Sequence, residues 1–452
     1  IESLEVNELV VNVATLGQVS DPLSDGQPGA IVTGRAKNDA DFCHGTNLLC
    51  RRINFLNQAY ADMSMQSTRH RDMFKISEKI DMSEKLVYSF LMATYNPDIP
   101  YNDLPPLPPA DVVETVPVLK AIIDAKEKLA ELRTACQLIP NPEIITSTIP
   151  LREARASSEI ENIVTTNDEL FRAAWHVDAE PSPATKEALR YNSALHAGLS
   201  SLSQRPLSEK TAKIVCSTLL DTQAEVRSLP GTFIGNPVTQ QRLYTPPEGK
   251  EIIEGHLAAW EDYIYSSHDV DSLVKMALLH YQFEAIHPFY DGNGRTGRIL
   301  NVLHLIQEEL LELPVLYLSG YIVGNKAAYY RYLNAVTAEG AWEDWLLFMI
   351  RGVHAAADDA SSMITQLRAI QENTASEIRA AGVIGQPLEM AELILIKPYV
   401  RISDVVEMGV VKRQTASTWL AHLVELGILE EIQQGRGKVF IHRAALDVLT
   451  RE

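Results

Sequence analysis

The spacing of apolar residues predicts that most of the chain is helical. Apolar positions recur at helical spacing in Val113–Gln137, in a helix that begins near Pro150, in Ala184–Leu202, in Ser208–Leu220 and, with breaks, from Lys250 to about Ile378. Phe233–Pro246 interrupts this pattern with β-branched and aromatic residues, which predicts a β-hairpin. Tyr101–Pro109 must be extended, because proline fixes φ and cannot donate a helical hydrogen bond. We therefore expect a mainly α fold with one small hairpin.

The C-terminal segment shows a different order of elements. We predict helices at Pro387–Ile394, Ser403–Met408 and Lys412–Leu426, followed by strands at Ile428–Gln433 and Val439–His442. This order resembles a winged helix. In a winged helix the third helix would offer DNA four polar side chains, Arg413, Gln414, Ser417 and Thr418, and the wing would place Arg436 and Lys438 on phosphates. Seven basic and seven acidic residues balance from Arg401 onward, so DNA binding and a protein-interaction or dimer-packing role both stay open.

The length of 452 residues is too great for one compact core. The patterning divides the chain into an N-terminal accessory region of unknown role (1–95), a helical region (96–200), a core (201–352), a helical linker (353–385) and a winged-helix-like domain (386–452). The net charge of −19 argues against nonspecific nucleic-acid binding by the whole molecule. No apolar run reaches the roughly 18 residues that cross a bilayer, and the four cysteines are too dispersed for a disulfide framework. We expect a cytoplasmic protein with no membrane partner.

Candidate chemistry is concentrated in His287–Arg298, which reads His-Pro-Phe-Tyr-Asp-Gly-Asn-Gly-Arg-Thr-Gly-Arg. Helical patterns on both sides predict a loop that leads into a helix start, where unpaired N–H groups and the helix dipole attract an anion. The loop and helix start contain three glycines that let the backbone close around phosphates, namely Gly292, Gly294 and Gly297. This stretch therefore predicts a phosphate site.

Five side chains would complete that site. Arg295 and Arg298 lie three residues apart, on neighbouring positions of one helical face, and each can bind a phosphate. Asp291 is a hard oxygen ligand that suits Mg²⁺ bridging phosphates. Asn293 can orient the loop or a phosphate oxygen. His287 can accept the proton of an attacking hydroxyl, because the pKa of histidine lies near neutrality.

The stretch resembles the signature of the Fic (filamentation induced by cAMP) family, His-x-Phe-x-Asp-Gly-Asn-Gly-Arg-x-x-Arg, and every fixed position matches. The resemblance implies a helical Fic core that carries a hairpin flap, in a protein that binds ATP and Mg²⁺. It implies nucleotide contacts along Gly292–Arg298, Thr296 included, and Mg²⁺ at Asp291. It also implies that His287 deprotonates a Ser, Thr or Tyr hydroxyl of a target protein, which then attacks the ATP α-phosphate. In the Doc-like branch, which phosphorylates its target, lysine replaces the glycine at position 294, so Gly294 favours AMP transfer.

Ser157-Ser158-Glu159-Ile160-Glu161-Asn162 resembles the Fic inhibitory motif, Ser or Thr, three residues, then Glu and Gly or Asn. Its place before the signature is similar to the class whose inhibitory helix precedes the Fic core. The resemblance implies that Ser157, Glu161 and Asn162 are regulatory and that Glu161 pairs with Arg298, removing the charge that would hold the γ-phosphate. By spacing alone, an ordinary helix with a solvated charge is the default interpretation.

The hairpin Phe233–Pro246 occupies the place of the family's flap, and Leu243, Tyr244 and Thr245 resemble its ending. A target segment can add to such an edge as a further strand. Tyr329 and Tyr330 resemble the helix that lines the adenine pocket. Two positions depart from the family pattern: Ile234 stands where arginine is usual, and Thr337 where asparagine is frequent.

The resemblance favours an autoinhibited protein adenylyltransferase whose partners are ATP and a target protein, and it is compatible with a homodimer. A second interpretation is a DNA-binding regulator in which the Fic domain senses nucleotide, although a sensor would need no base at His287. A third keeps the enzyme but has it transfer UMP or a phosphoryl group, or remove AMP. The phosphate loop does not distinguish these reactions, because it binds phosphates and not bases.

Overall fold

The computed structural model describes residues 95–109, 114–177, 180–235, 241–266, 270–434 and 437–451. Residues Ala93–Glu452 form one compact unit. The accessory region predicted for residues 1–95 lies outside the described residues except for Tyr95, and Arg436 of the predicted wing also lies outside them.

Helices dominate the described part of the chain, and the mainly α fold with small antiparallel sheets is confirmed. The helices are α1 (Val116–Leu138), α2 (Glu143–Thr146), α3 (Ile149–Ile160), α4 (Asn167–Ala174), α5 (Pro183–Leu202), α6 (Glu209–Leu220), α7 (Lys250–Tyr265), α8 (Ser272–Ile286), α9 (Asn293–Gln307), α10 (Leu318–Gly324), α11 (Lys326–Glu339), α12 (Trp342–Ala381), α13 (Pro387–Ile396), α14 (Ile402–Glu407), α15 (Arg413–Glu425) and α16 (Arg443–Thr450). The strands are β1 (Ile234–Gly235), β2 (Arg242–Tyr244), β3 (Tyr399–Val400), β4 (Glu430–Gln434) and β5 (Gly437–Ile441).

Side-chain caps explain where several helices begin. The Ser182 hydroxyl accepts from the Thr185 N–H at the start of α5, after which Pro183 occupies the first helical position. Thr166 and Glu169 form a reciprocal capping box at the start of α4. These bonds satisfy N–H groups that the helix itself leaves without a partner.

The core is built around α8, which buries residues on almost every side because α7, α9 and α12 pack against it. Trp260 on α7 and Trp345 on α12 donate their indole N–H groups to the carbonyls of Leu279 and Ala277 on α8, at 3.0 and 2.9 Å. Two neighbouring helices therefore fix the position of α8. The residue that follows α8 is His287, so this packing also fixes the candidate base.

The long helix α12 packs along α1 and continues, without a break, past the core to α13 and α16. The C-terminal part contains a three-stranded antiparallel sheet in the order β3-β5-β4. The three predicted helices and two strands are present, and β3 and α16 are additional to the prediction. Strand β3 has only two residues, too few to show a strand pattern. Among the described residues, no helix combines the length and apolarity needed to cross a membrane.

Candidate active site

The phosphate loop joins α8 to α9. His287 ends α8 in the left-handed region, with φ 48°, and its N–H donates to the Phe283 carbonyl at 3.0 Å. Gly292, with φ 77°, precedes the first residue of α9. A positive φ is accessible to glycine without steric cost. The sharp reversals at both ends explain how one short loop places His287 near the start of α9.

Asn293 holds the loop closed. Its side-chain oxygen accepts from the Phe289 N–H, and its side-chain nitrogen donates to the Phe289 carbonyl, both at 2.8 Å. The ring of Phe289 is buried against Phe283. The sequence left two roles open for Asn293, orienting the loop or orienting a phosphate oxygen. These hydrogen bonds show that it orients the loop.

Arg227 is a second support for this loop, and no sequence pattern singles it out. The side chain is completely buried. Its guanidinium donates to the carbonyls of His287, Ile286 and Pro247, and its backbone N–H donates to the Pro288 carbonyl. Arg227 lies sixty residues before His287 in the sequence, so no local sequence signal links it to the loop.

Replacing Arg227 by lysine is expected to lower the free energy of unfolding by about 2 kcal/mol, because a single ammonium cannot reach three carbonyls and leaves buried acceptors unpaired. Urea denaturation measures this change. The matched control is Arg368→Lys, since Arg368 is exposed and pairs with Glu372 on its own helix. Equal stability changes in the two variants would contradict a loop-supporting role for Arg227.

The start of α9 presents free backbone donors. The first intrahelical bond in α9 runs from the Thr296 N–H to the Gly292 carbonyl at 2.9 Å. Within the described residues the N–H groups of Asn293, Gly294 and Arg295 have no hydrogen-bond partner. Such a group of free N–H donors, at the positive end of a helix dipole, attracts an anion.

Arg298 is fully buried, and residues at the end of α3 occupy its donors. Its Nε donates to the Ser157 hydroxyl at 2.8 Å, and its Nη2 donates to the Ser157 carbonyl at 2.9 Å and to Glu161 at 2.8 Å. Burial alone would raise the pKa of Glu161, but the charge and hydrogen bond of Arg298 outweigh burial and lower it. The ion pair that the resemblance implied is therefore present between ionised groups. Asn162 adjoins it in the left-handed region, with its side chain accepting from Lys326 at 3.1 Å.

Gly294 makes room for this ion pair. A Cβ at position 294 would overlap the Glu161 carboxylate and lie 3.1 Å from Arg298 Nη1. Gly297 makes similar room for Glu284, whose carboxyl oxygen a Cβ would approach to 2.5 Å. Gly294 and Gly297 therefore let these carboxylates approach the backbone of α9 closely, in addition to helping the loop to close.

Arg295 is also engaged by carboxylates. Its side chain is only 2% exposed, and it pairs with Glu187 on α5 through Nη1. Its Nη2 lies 3.6 Å from Asp291 Oδ1. The hydroxyl of Thr296 is buried and without a partner among the described residues. Glu187 was not identified from the sequence, because it lies more than a hundred residues before the loop.

The pKa of His287 lies below the near-neutral value expected from the sequence. Burial lowers the pKa of His287 to about 4, with Arg227 contributing and Glu161 opposing, so the imidazole is neutral near pH 7. Its Nδ1 is buried and has no hydrogen-bond partner among the described residues. Burial raises the pKa of the neighbouring Glu284 to about 7, against the influence of Arg298.

The two predicted adenine-pocket tyrosines occupy different environments. Tyr329 is buried, and its hydroxyl shares a 2.8 Å hydrogen bond with His280 Nε2. Tyr330 is 39% exposed and packs edge-on against Tyr329 at 5.2 Å between ring centroids. Tyr330 is therefore the accessible aromatic surface at this position, and Tyr329 supports it.

The predicted flap corresponds to strands β1 and β2, which pair antiparallel. Residues 236–240 between them lie outside the described part. Tyr244 is buried and donates to the Ala285 carbonyl at 2.7 Å, so β2 is attached beside the end of α8. Leu243 is exposed, whereas Thr245 is buried. The Tyr95 hydroxyl donates to the Leu243 carbonyl at 2.7 Å, and the Tyr101 N–H donates to the Thr245 carbonyl at 3.0 Å.

Helix α3 and the segment after it are anchored to the C-terminal part of the chain. Arg152, in the first turn of α3, donates to the Arg451 carbonyl at 2.8 Å and to Asp359 on α12 at 3.2 Å. Just beyond α3, Asn167 donates to the Thr450 carbonyl at 3.0 Å. The chain is therefore anchored on both sides of Glu161, at Arg152 and at Asn167.

The remaining candidates are at the surface. The four residues predicted to face DNA are all exposed on α15. Lys438 of the predicted wing is exposed but pairs with Glu431 at 2.8 Å. The described residues contain no cluster of three or more histidine, cysteine or acidic side chains that could hold a metal. Asp291 is thus a single carboxylate, 72% exposed.

Three protein-family models match the chain. They are "Fic/DOC family N-terminal" over residues 119–200, "Fic/DOC family" over residues 206–305, and "Protein adenylyltransferase SoFic-like, C-terminal domain" over residues 370–445. The first match contains Glu161 and the second contains the whole loop from His287 to Arg298. The third corresponds to the end of α12 and the C-terminal sheet with its helices.

Known proteins show the same relationship. A curated relative from Aquifex aeolicus (strain VF5), named a probable protein adenylyltransferase, is 48% identical over 44 residues, which are 10% of this chain and 14% of the relative. The crystal structure of a Fic family protein from Desulfovibrio desulfuricans G20 aligns with a TM-score of 0.51 and 21% identity, covering 73% of this chain and 97% of that one. A Fic-domain signalling protein from Bacteroides thetaiotaomicron VPI-5482 aligns with a TM-score of 0.43 and 17% identity over 53% of this chain and 95% of that one. The consecutive matches show that the chain contains a Fic/DOC N-terminal domain followed by a Fic/DOC domain, and the Desulfovibrio structure shows a shared fold.

Proposed function

We propose that the chain is a protein adenylyltransferase that transfers AMP from ATP to a Ser, Thr or Tyr hydroxyl of a target protein. The observation that carries this proposal is the junction of α8 and α9. It places a neutral, partly buried His287 beside three free N–H groups at the positive end of α9. The names of the C-terminal family model and of the Aquifex relative agree with this activity.

In the proposed reaction His287 takes the proton of the target hydroxyl. The oxygen attacks the ATP α-phosphorus, a new P–O bond forms, and the bond to the β-phosphate breaks to release pyrophosphate. The free N–H groups of Asn293, Gly294 and Arg295 bind phosphate oxygens and are already oriented, so their placement costs no reorganisation. Asp291 fits a Mg²⁺ ion, because Mg²⁺ commonly takes one carboxylate together with substrate phosphates. When bound, Mg²⁺ would neutralise charge on the departing pyrophosphate.

The flap would present the target. An extended target segment gains main-chain hydrogen bonds by adding to a strand edge, which orients its hydroxyl without reading much sequence. Exposed Leu243 on β2 offers an apolar contact for such a segment. The carbonyls of Leu243 and Thr245 already accept from Tyr95 and Tyr101. A target that pairs with these same carbonyls would have to displace those two donors.

The activity would be autoinhibited. The γ-phosphate of ATP in the productive orientation requires the charge of Arg298, and three hydrogen bonds to Ser157 and Glu161 now use that charge. A buried arginine that loses one charged partner requires another. ATP phosphate and Glu161 therefore compete for one side chain.

The test compares ATP labelled at the α-phosphate with ATP labelled at the γ-phosphate, in the Glu161→Gly chain with Mg²⁺. The proposal requires that α-label becomes attached to protein, that γ-label does not, and that the intact mass rises by one AMP. Transfer of γ-label alone would identify a kinase. Retention of ATP without transfer of either label would favour the nucleotide-sensing regulator.

A further inference from the structure

Glu187, Arg295 and Asp291 form a continuous chain of charges across the edge of the site. Arg295 is the middle member, with a side chain that is 2% exposed. Glu187 is 30% exposed and Asp291 is 72% exposed, so the two carboxylates lie on the solvent side of one buried guanidinium. Neither Glu187 nor Arg295 is explained by loop closure, which Asn293 and Arg227 accomplish.

We propose that Glu187 is a positioning residue that keeps Asp291 available to a divalent cation by neutralising Arg295. This inference rests on the proposed function. A buried cation requires a counter-ion. With Glu187 in place, Arg295 takes Glu187 as its close partner, and Asp291 remains at 3.6 Å. Without Glu187, Asp291 would be the remaining carboxylate partner of Arg295 and would be drawn into that ion pair.

The two oxygens of Asp291 are used differently, which supports this assignment. Oδ1 accepts from the Gly292 N–H at 2.6 Å and faces Arg295. Within the described residues, Oδ2 makes no hydrogen bond or ion pair. One oxygen thus fixes the carboxylate and the other is directed away from its protein partners. That is the arrangement in which a single carboxylate can donate to a metal without losing its own orientation.

The position of Glu187 argues against a second inhibitory role. Glu161 sits at the end of α3, next to a left-handed residue, where a small backbone change can move it. Glu187 lies inside α5, a 20-residue helix that packs against α6 and α9. A residue on a helix that is packed against two others maintains one geometry better than it switches between two. Glu187 therefore supports the site and does not block it.

The experiment measures metal binding directly, in the full chain carrying Glu161→Gly. Mn²⁺ is titrated by electron paramagnetic resonance in the presence of α,β-methylene-ATP, which cannot be cleaved between the α- and β-phosphates. Glu187→Gln is expected to raise the Mn²⁺ dissociation constant about 10-fold, the usual lower range for losing a partner of a metal ligand. Glu187→Asp keeps the charge and should recover part of the affinity. Glu372→Gln removes a carboxylate from the exposed pair with Arg368 and should leave affinity unchanged.

Nucleotide affinity is measured again in EDTA. The proposal requires that Glu187→Gln does not lower the metal-free affinity, because the N–H groups of α9 are not affected and Arg295 keeps its charge. It is overturned if Mn²⁺ affinity does not change, if metal-free nucleotide affinity falls by the same factor, or if Glu187→Gln alone activates the native chain. Should Glu187→Gln fail to fold by circular dichroism, Glu187→Asp decides by the same comparison. Transfer of α-label by Glu161→Gly tests the function separately, so either idea can fail without the other.

Discussion

Adding His287→Ala to a chain that carries Glu161→Gly is expected to slow AMP transfer about 10³-fold, the middle of the range for loss of a general base. The reason is that, among the described residues, His287 is the neutral imidazole at the start of the phosphate loop. Glu284 is nearby, but its carboxyl oxygen is directed at Gly297. The measurement is the initial rate of α-label transfer at saturating ATP, with His196→Ala on the exposed face of α5 as the control.

The pH dependence distinguishes a base from a structural histidine. Burial lowers the pKa of His287 to about 4, so the base is available at every pH above that value and is lost only as pH falls through it. Glu161 opposes the lowering, so its removal moves the pKa further down. The rate of the Glu161→Gly chain should therefore not fall as the pH is lowered from about 8 to about 6. A fall in rate centred near the ordinary histidine value of about 6.5 would contradict this assignment.

The sequence located most of the helices because their apolar periodicity is local information. It also located the phosphate loop, since glycines, arginines and a base within twelve residues reflect one continuous backbone feature. Arg227 and Glu187 were not predicted. Each touches the loop from sixty to more than a hundred residues away, and each is a single charged residue in a segment with no other signal. Pairings of this kind depend on tertiary packing, which periodicity does not encode.

Two missed elements had readable signals. Helix α4 begins with Thr166 and Glu169, three residues apart, which is the capping-box spacing. Helix α16 follows β5 directly and has apolar residues at helical spacing. By contrast, the contacts of Arg152 on α3 with Arg451 and of Asn167 on α4 with Thr450 could not be anticipated, because they join this region to the far end of the chain. They hold the chain on both sides of Glu161, at Arg152 before it and at Asn167 after it.

Glu161→Gly is expected to raise the rate of AMP transfer about 10- to 100-fold over the native chain. A hydrogen bond between charged groups contributes about 1.5–3 kcal/mol, and releasing it increases the fraction of Arg298 that can bind phosphate by a corresponding factor. The two bonds from Arg298 to Ser157 remain, so the guanidinium keeps its orientation. Glu161 follows the last residue of α3, so its replacement does not interrupt the helix.

The control separates the charge from backbone flexibility. Glu159→Gly introduces the same residue in the last turn of α3 but removes a carboxylate that pairs with Arg155 at 3.3 Å, away from Arg298. If a looser helix end were enough for activation, both variants would be active. If the ion pair between Glu161 and Arg298 inhibits the enzyme, only Glu161→Gly gains activity. The apparent affinity of that variant for ATP then rises together with its rate. Equal rates for the native chain and Glu161→Gly would refute autoinhibition, since Arg298 would then bind phosphate despite Glu161.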